Sequence, residues 1–245
     1  MEINVWGSRV RPPNANRALA AFLLGANLMG RTERRVFERV VEPGNVVVEV
    51  GANQGIFTLL FSKLVGESGR VIALEPEPSL FAALEGNCRL NDATNVTRLN
   101  SAAGEERSQG FLQCSRFNSG DNRVTRSGAQ RHGVAVEIDS LDNLIQAPAV
   151  AFVKIDVQGY ELHVLRGMKT LVSANPSVKV FFEYFPAGLA QAGTSPENLL
   201  RFFEEHGFSL FDPSPRGLVR VEANDVARTT GNGHLSWRNF LAVRQ

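Results

Sequence analysis

Three apolar runs limit this chain more than anything else in it: VVVEV at 46–50, VIAL at 71–74 and VKVFF at 178–182. Each is nearly continuous and lacks the alternation of a strand with one wet face, so each reads as a strand buried on both sides. Strands of that kind need helices above and below, and helical patterns follow them along the chain. The fold class is therefore α/β: a Rossmann-like, doubly wound, mostly parallel sheet of seven strands with helices on both faces. The strands are expected at 46–50, 70–75, 96–101, 150–156, 178–184, 207–212 and 238–243, and helices at 55–65, 78–91, 159–173 and 195–206. In such a sheet a ligand binds beyond the carboxyl ends of the strands.

The remaining segments are placed around that sheet. With 245 residues, 43% of them hydrophobic, the chain has length for one large domain plus an arm. Residues 1–42 read as an N-terminal arm with helices and 43–245 as the main domain. Residues 1–16, with Pro12, Pro13, Asn14 and Asn16, look extended. A helix is expected over 17–30, RALAAFLLGANLMG, and a second from Thr32 to the Pro43–Gly44 stop. The 17–30 run follows Arg9, Arg11 and Arg17, which faintly imitates a secretory signal. Gly25 and Asn27 interrupt it, it falls short of the ~20 residues a span needs, and it lacks a clean cleavage site. It is expected to pack on the domain, with no stable membrane insertion.

Charge and cysteine usage narrow the partners. A formal net charge of +1 supplies no field for collecting nucleic acid, and none is expected as a partner. Cys88 and Cys114 lie in unrelated segments without metal-ligand spacing, which suits reduced thiols and a cytoplasmic protein. Residues 104–139 carry no helical pattern and read as an insertion with hairpin character. Their polar middle, SRFNSGDNRVTRSGAQRH, suggests a lid over the ligand edge.

The turn after the first strand, GANQGI at 51–56, decides between two adenosine ligands. A dinucleotide site needs glycines at the first, third and sixth positions, the second of them so that bare backbone meets the pyrophosphate. Here those positions hold Gly51, Asn53 and Ile56. S-adenosylmethionine has no phosphate. Gly51 and Gly55 can make its turn, Asn53 can touch its amino-acid end, and Glu75 at the end of the next strand can accept both ribose hydroxyls. The alternative for Glu75 is a cap on the following helix.

Across residues 43–183 the sequence resembles the FkbM-type family of class I S-adenosyl-L-methionine-dependent methyltransferases. PGNVVVEVGANQGIFTLLFSKLVGESGRVIALEPEP resembles its opening block, LEGNCRLNDATNV its helix-to-strand segment, and VEIDSLDNL, VKIDVQGYELHVLRGM and FFEY its later blocks. Glu49 stands where many such enzymes have aspartate, and Gln158-Gly159-Tyr160 replaces a commoner Glu-Gly-Ala. The resemblance implies bound S-adenosylmethionine and methyl transfer to a small-molecule hydroxyl acceptor such as a sugar or polyketide. It places Gly51, Asn53 and Gly55 toward the methionine end, Glu75 at the ribose and Ala102 against the adenine, and counts Glu49 among the cofactor-binding residues.

Catalytic candidates follow from strand ends. FVKID ends in Asp156 and KVFFE in Glu183, on strands expected to be neighbours ~4.8 Å apart. Together they could hold a hydroxyl and take its proton, or bind a divalent metal; the metal-free arrangement is favoured. Glu161 is a third acid nearby, readable as a helix N-terminal carboxylate. His163 is a candidate base, with His132 and His234 in polar loops and His206 at a helix end. Phe185, Phe202 and Phe203 are candidate apolar walls. N-methylation, aminopropyl transfer and a non-catalytic binding role remain rival readings, and a homodimer is left open.

Overall fold

The computed structural model describes residues 2–12, 30–113, 122–125, 133–147, 149–214, 217–229 and 237–244. Most of the helix expected over 17–30, together with Cys114, His132 and His234, lies outside the described residues. The strands are β1 (Ile3–Val5), β2 (Ser8–Val10), β3 (Val46–Val50), β4 (Arg70–Leu74), β5 (Val96–Leu99), β6 (Ala102–Gly104), β7 (Ser108–Gln113), β8 (Arg123–Thr125), β9 (Gly133–Ser140), β10 (Phe152–Ile155), β11 (Lys179–Tyr184), β12 (Phe208–Ser214), β13 (Gly217–Val221) and β14 (Arg238–Arg244). The helices are α1 (Arg31–Val40), α2 (Ile56–Val65), α3 (Pro78–Leu90), α4 (Leu141–Leu144), α5 (Glu161–Arg166), α6 (Lys169–Ala174), α7 (Pro186–Gln191), α8 (Pro196–Glu205) and α9 (Ala223–Thr229).

The apolar runs form the middle of the main sheet, whose order is β13-β12-β14-β11-β10-β3-β4-β5. β11, β10, β3, β4 and β5 are parallel, and β14 runs antiparallel between β11 and β12. The sheet has eight strands where seven were expected. The extra one, β13, is a partly exposed edge strand paired antiparallel to β12 from Leu210↔Val221 to Ser214↔Gly217. It buries too little to write a strand pattern into GLVRV.

Alternation along the strands divides the core. Val48, Val50, Leu74, Ile155 and Phe182 pack on one side with α5, α6 and α8. Val47, Val71, Phe152 and Phe181 pack on the other with α1, α2 and α3. There Phe37 meets Phe57, Phe61, Phe152 and Phe181 at centroid distances of 5.3, 4.9, 5.6 and 4.8 Å. Those spacings are favourable for aromatic pairs, and each buried ring contributes roughly 1.5–3 kcal/mol. Among the described residues no helix is long and apolar enough to cross a membrane.

Two further expectations are revised, and the insertion gains a definite place. The arm is a β1–β2 hairpin, turned on Trp6 and Gly7 with φ of 51° and 76°, which suits a right-twisted two-residue turn. It is tied to α3, where Asn91 and Asn87 accept the N–H groups of Arg9 and Arg11 at 2.8 and 2.7 Å. The helix expected over 159–173 is two helices, α5 and α6. Gly167 packs so closely on the Gly104 carbonyl that a Cβ would lie 1.9 Å from it. Asp142 then caps α6, accepting from Thr170 and Leu171 N–H at 3.0 and 2.8 Å. The 104–139 insertion, where described, belongs to a second sheet of order β6-β9-β7-β8.

Candidate active site

Strand register assembles the site. Val50, Leu74, Ile155 and Phe182 form one row across β4, β3, β10 and β11. The next residue on each strand is Glu75, Gly51, Asp156 and Glu183, so the polar positions fall in one line at the carboxyl edge. Neighbours in that line are spaced by about 4.8 Å. One row earlier lie Ala73, Glu49, Lys154 and Phe181.

The glycine turn is closed by backbone. Gly51 and Ala52 N–H both donate to the Leu74 carbonyl, at 3.0 and 2.9 Å. Gly51 has φ +83°, and a Cβ there would lie 2.0 Å from the Asp156 carbonyl oxygen. Gly55 has φ +89°, with Leu84 Cδ1 2.6 Å from where its Cβ would be. Asn53 also takes a left-handed φ of 52°, and its Oδ1 accepts the Gln54 N–H at 2.8 Å. Glu75 locks this turn, since Oε2 accepts the Asn53 N–H at 2.8 Å and Oε1 the Glu77 N–H at 2.9 Å. The cap of α3 is Glu77, which accepts from Leu80 N–H at 2.6 Å. Glu75 therefore does not serve as that cap. Burial raises its carboxyl to about 7.

Gly51, Asn53, Glu75, Asp156 and Gln158 line one cleft with Leu112, Asn122 and Val124 of the insertion sheet. Its volume is about 90 Å³, below the ~300–1,000 Å³ of typical small-molecule sites. Ala102 is buried behind that wall in a cluster with Leu112, Val136 and Ile138.

The acids differ sharply in surroundings. Asp156 is the accessible one, its side chain 40% exposed. Lys154 Nζ lies 3.2 Å from its Oδ2, and Gln158 Nε2 donates to its Oδ1 at 3.1 Å. Glu183 is buried, and its Oε2 has no hydrogen-bond partner. Burial first, then the charges of Asp156 and Glu161, push its carboxyl well above the ordinary range; a Gln158 hydrogen bond opposes them. Glu161 is fully buried. Its Oε1 accepts Val157 and Gly159 N–H at 3.2 and 3.1 Å and so closes the loop after β10. Burial raises it to about 7. That loop carries Gln158 at φ 55° and lays Gly159 directly on the Gly188 backbone of α7.

Glu49 lies beneath the turn, 1% exposed, accepting from Thr58 Oγ1 at 2.5 Å. Burial raises it to about 7 against the pull of Lys154. His163 is not among the cleft-lining residues. Its ring stacks on Tyr160 at 4.3 Å, and Nε2 lies 3.1 Å from the Ala192 carbonyl, to which it donates. Its Nδ1 is 3.8 Å from Glu105 Oε2. His206 stacks on Phe202 at its helix end. Phe202 and Phe203 belong to the core, while Phe185 carries the Arg123 guanidinium 5.1 Å above its ring. Among the described residues no three His, Cys, Asp or Glu side chains gather as a metal-ligand group.

Sequence reading missed Leu112, Val124 and the burial of Lys154. Leu112 and Val124 reach the cleft only because β7 and β8 fold back over it, which no local pattern encodes. Lys154 did have a signal, a lysine inside the apolar run FVKI, where a charged residue is rarely buried unless paired.

Two glycines at left-handed φ close a tight turn after the first strand, and a carboxylate stands at the second strand end; Ala102 does not line this cleft. A family model, the methyltransferase FkbM domain, matches residues 49–210. Among solved structures, a candidate rRNA methylase from Clostridium thermocellum is 13% identical with a TM-score of 0.50, covering 86% of this chain and 92% of its own. A candidate methyltransferase from Streptococcus mutans, in complex with SAH, is 9% identical with a TM-score of 0.51, covering 87% and 96%. At these identities both likenesses speak for the fold. No curated protein matches the chain significantly. A family match over more than half the chain, on a sheet whose strand ends build this turn, settles the assignment: the chain belongs to the FkbM family of S-adenosylmethionine-dependent methyltransferases.

Proposed function

We propose that the protein methylates a hydroxyl of a small molecule, with Glu183 taking the proton and Asp156 holding charge at the boundary between donor and acceptor. The observation that carries this reading is the contrast between two acids one strand apart. Both Asp156 oxygens already face donors, Lys154 and Gln158, which suits holding rather than accepting a proton. Glu183 keeps one buried oxygen without a partner and a carboxyl raised well above the ordinary range. A buried acid pushed up beside a neighbour already held by donors is a usual mark of divided acid–base roles.

When bound, S-adenosylmethionine supplies a methyl group already activated on a sulfonium. The chain's own work is to align, exclude water and accept one proton. Glu75 accepts the ribose hydroxyls, and Gly51 and Gly55 let backbone approach the methionine end. Asp156, next to Gly51 in the strand row, holds the positively charged amino group of the donor and borders the acceptor. Glu183, one strand further out, accepts the hydroxyl proton. Alignment contributes several kcal/mol, up to ~7–11 in well-ordered cases, and a general base a factor of ~10²–10⁴.

The test is Glu183→Gln, assayed with labelled donor against hydroxylated small molecules, amines and RNA, the last because the Clostridium thermocellum protein is a candidate rRNA methylase. Turnover on a hydroxyl acceptor should fall ~10²-fold or more while SAH affinity stays within a few-fold. Wild-type turnover from that variant would end the base role of Glu183. Methyl transfer only to amines or RNA would end the hydroxyl reading. A chelator should leave wild-type turnover unchanged.

A further inference from the structure

Lys154 is fully enclosed, 3% exposed, in a strand whose other residues are apolar. Burying an ammonium costs several kcal/mol unless it is paired. Its partners form a line. Glu49 Oε1 is 3.9 Å away on one side and Asp156 Oδ2 3.2 Å away on the other, with the Phe57 ring 5.1 Å from Nζ. Glu49 is itself 1% exposed and held by Thr58. The line therefore starts on a sealed carboxyl, passes through a sealed cation and ends on the one member that reaches the cleft. Burial works against the lysine's charge, but Asp156 and then Glu49 more than compensate and raise its pKa.

Once Glu49 is ionised, above about pH 7, charges in this line alternate, negative, positive, negative; at any pH the open end is the Asp156 carboxylate, which a positive charge would complete. The cleft contains the Gly51–Asn53 turn beside Asp156, so the charge offered there belongs to the amino-acid end of the donor. Lys154 cannot make that contact itself, because it is absent from the cleft lining.

We infer that Lys154 is a positioning residue: it anchors Asp156 from beneath, so that the free side of that carboxylate faces the ammonium group of the bound donor. The inference rests on the cofactor role given to Asp156 above and adds to it a residue that no ligand touches. Without Lys154, Asp156 would lose the partner that fixes its Oδ2 and would sit above a second acid, Glu49.

The experiment compares two ligands by calorimetry, so it needs no acceptor. SAH carries the ammonium and carboxylate; 5′-methylthioadenosine has the same adenosine and thioether without them. Wild type should bind both. Lys154→Met should weaken SAH about tenfold or more and leave methylthioadenosine within about twofold, which a general loss of structure would not do. Asp156→Asn should give the same split, and Lys154→Met added to Asp156→Asn should produce no further loss. Should Lys154→Met not fold, Lys154→Met with Glu49→Gln, which removes the buried acid's charge together with the lysine, carries the same comparison. Equal weakening of both ligands, wild-type SAH affinity, or an undiminished Lys154→Met effect in the Asp156→Asn background overturns the inference. Wild type binding neither ligand overturns the cofactor reading of this cleft and the inference with it.

Discussion

The two walls of the cleft are built on different principles. The floor is the row Glu75, Gly51 and Asp156, continued one strand further by Glu183, which is buried and does not line the cleft; its four strands have a register that leaves no freedom, since a slip by one residue would turn every side chain to the opposite face. The roof is Leu112 on β7, Val124 on β8 and Asn122 just before it, on a sheet with a small cluster of its own: Ala102, Leu112, Val136 and Ile138. The floor is held by two large core clusters; the roof rests on one small one and a few side-chain contacts. Chemistry that demands sub-ångström alignment therefore belongs to the floor, and any adjustment to ligand size belongs to the roof.

Breaking the floor should give the largest effect. Glu75 joins the turn to the second strand end through the Asn53 and Glu77 N–H groups and lines the cleft as well. Glu75→Ala should weaken SAH by about 1.5–3 kcal/mol, the range for hydrogen bonds to a charged group, roughly ten- to a hundredfold. Calorimetry showing unchanged affinity would mean that the turn, and not the carboxylate, recognises the donor.

The same contrast governs what could be read from the sequence. Floor residues are legible because a buried parallel strand is written continuously: VVVEV appears as β3 with the expected bounds, and Asp156 and Glu183 are marked by the places where FVKI and KVFF stop. The shared row needs only the assumption that adjacent parallel strands end level. The break between α5 and α6 is not legible, because its causes, the Gly104 carbonyl under Gly167 and the Asp142 cap, come from distant segments. His163 looked like a base by its place after Glu161, but its direction depends on Tyr160 and Ala192. The roof is least legible of all. QGFLQC and GVAVEI announce a hairpin, yet nothing in either says which face will meet the floor.

A smaller effect, in stability, sharpens the account of the floor. Glu49, Glu75 and Glu161 are raised by burial to about 7, and Glu183 is raised well above the ordinary range as well. A raised carboxyl binds its proton more tightly folded than unfolded. Its contribution is thus fully present below the ordinary carboxylate range and is lost as pH rises through about 7. Urea unfolding of the ligand-free protein should accordingly show stability falling from about pH 5 to pH 7.5. Glu161→Gln, whose amide oxygen can still accept from Val157 and Gly159, should make that slope shallower. A flat wild-type profile, or an unchanged slope in the variant, would mean that these acids titrate normally.

The smallest effect is expected at the roof, and in the opposite direction. Arg123 on β8 reaches across to α7, where its guanidinium lies 5.1 Å above the Phe185 ring and Nη1 donates to Gln191 Oε1. Its buried Nε has no hydrogen-bond partner, so the attachment depends on those two contacts. A cation–π contact of this kind is worth ~0.5–2 kcal/mol. Leu112 and Val124 form the outer wall of the cleft, whose volume is about 90 Å³. If an adenosyl amino acid is admitted by outward movement of that roof, apparent affinity scales with the fraction of molecules in which it has moved. Arg123→Ala should raise that fraction, speed amide exchange in 108–113 and 122–125, and tighten SAH binding by a few-fold while leaving the unfolding midpoint nearly unchanged. Weaker SAH binding in the variant would make Arg123 part of the ligand's surroundings, and unaltered exchange would mean that the roof is held by its own cluster alone.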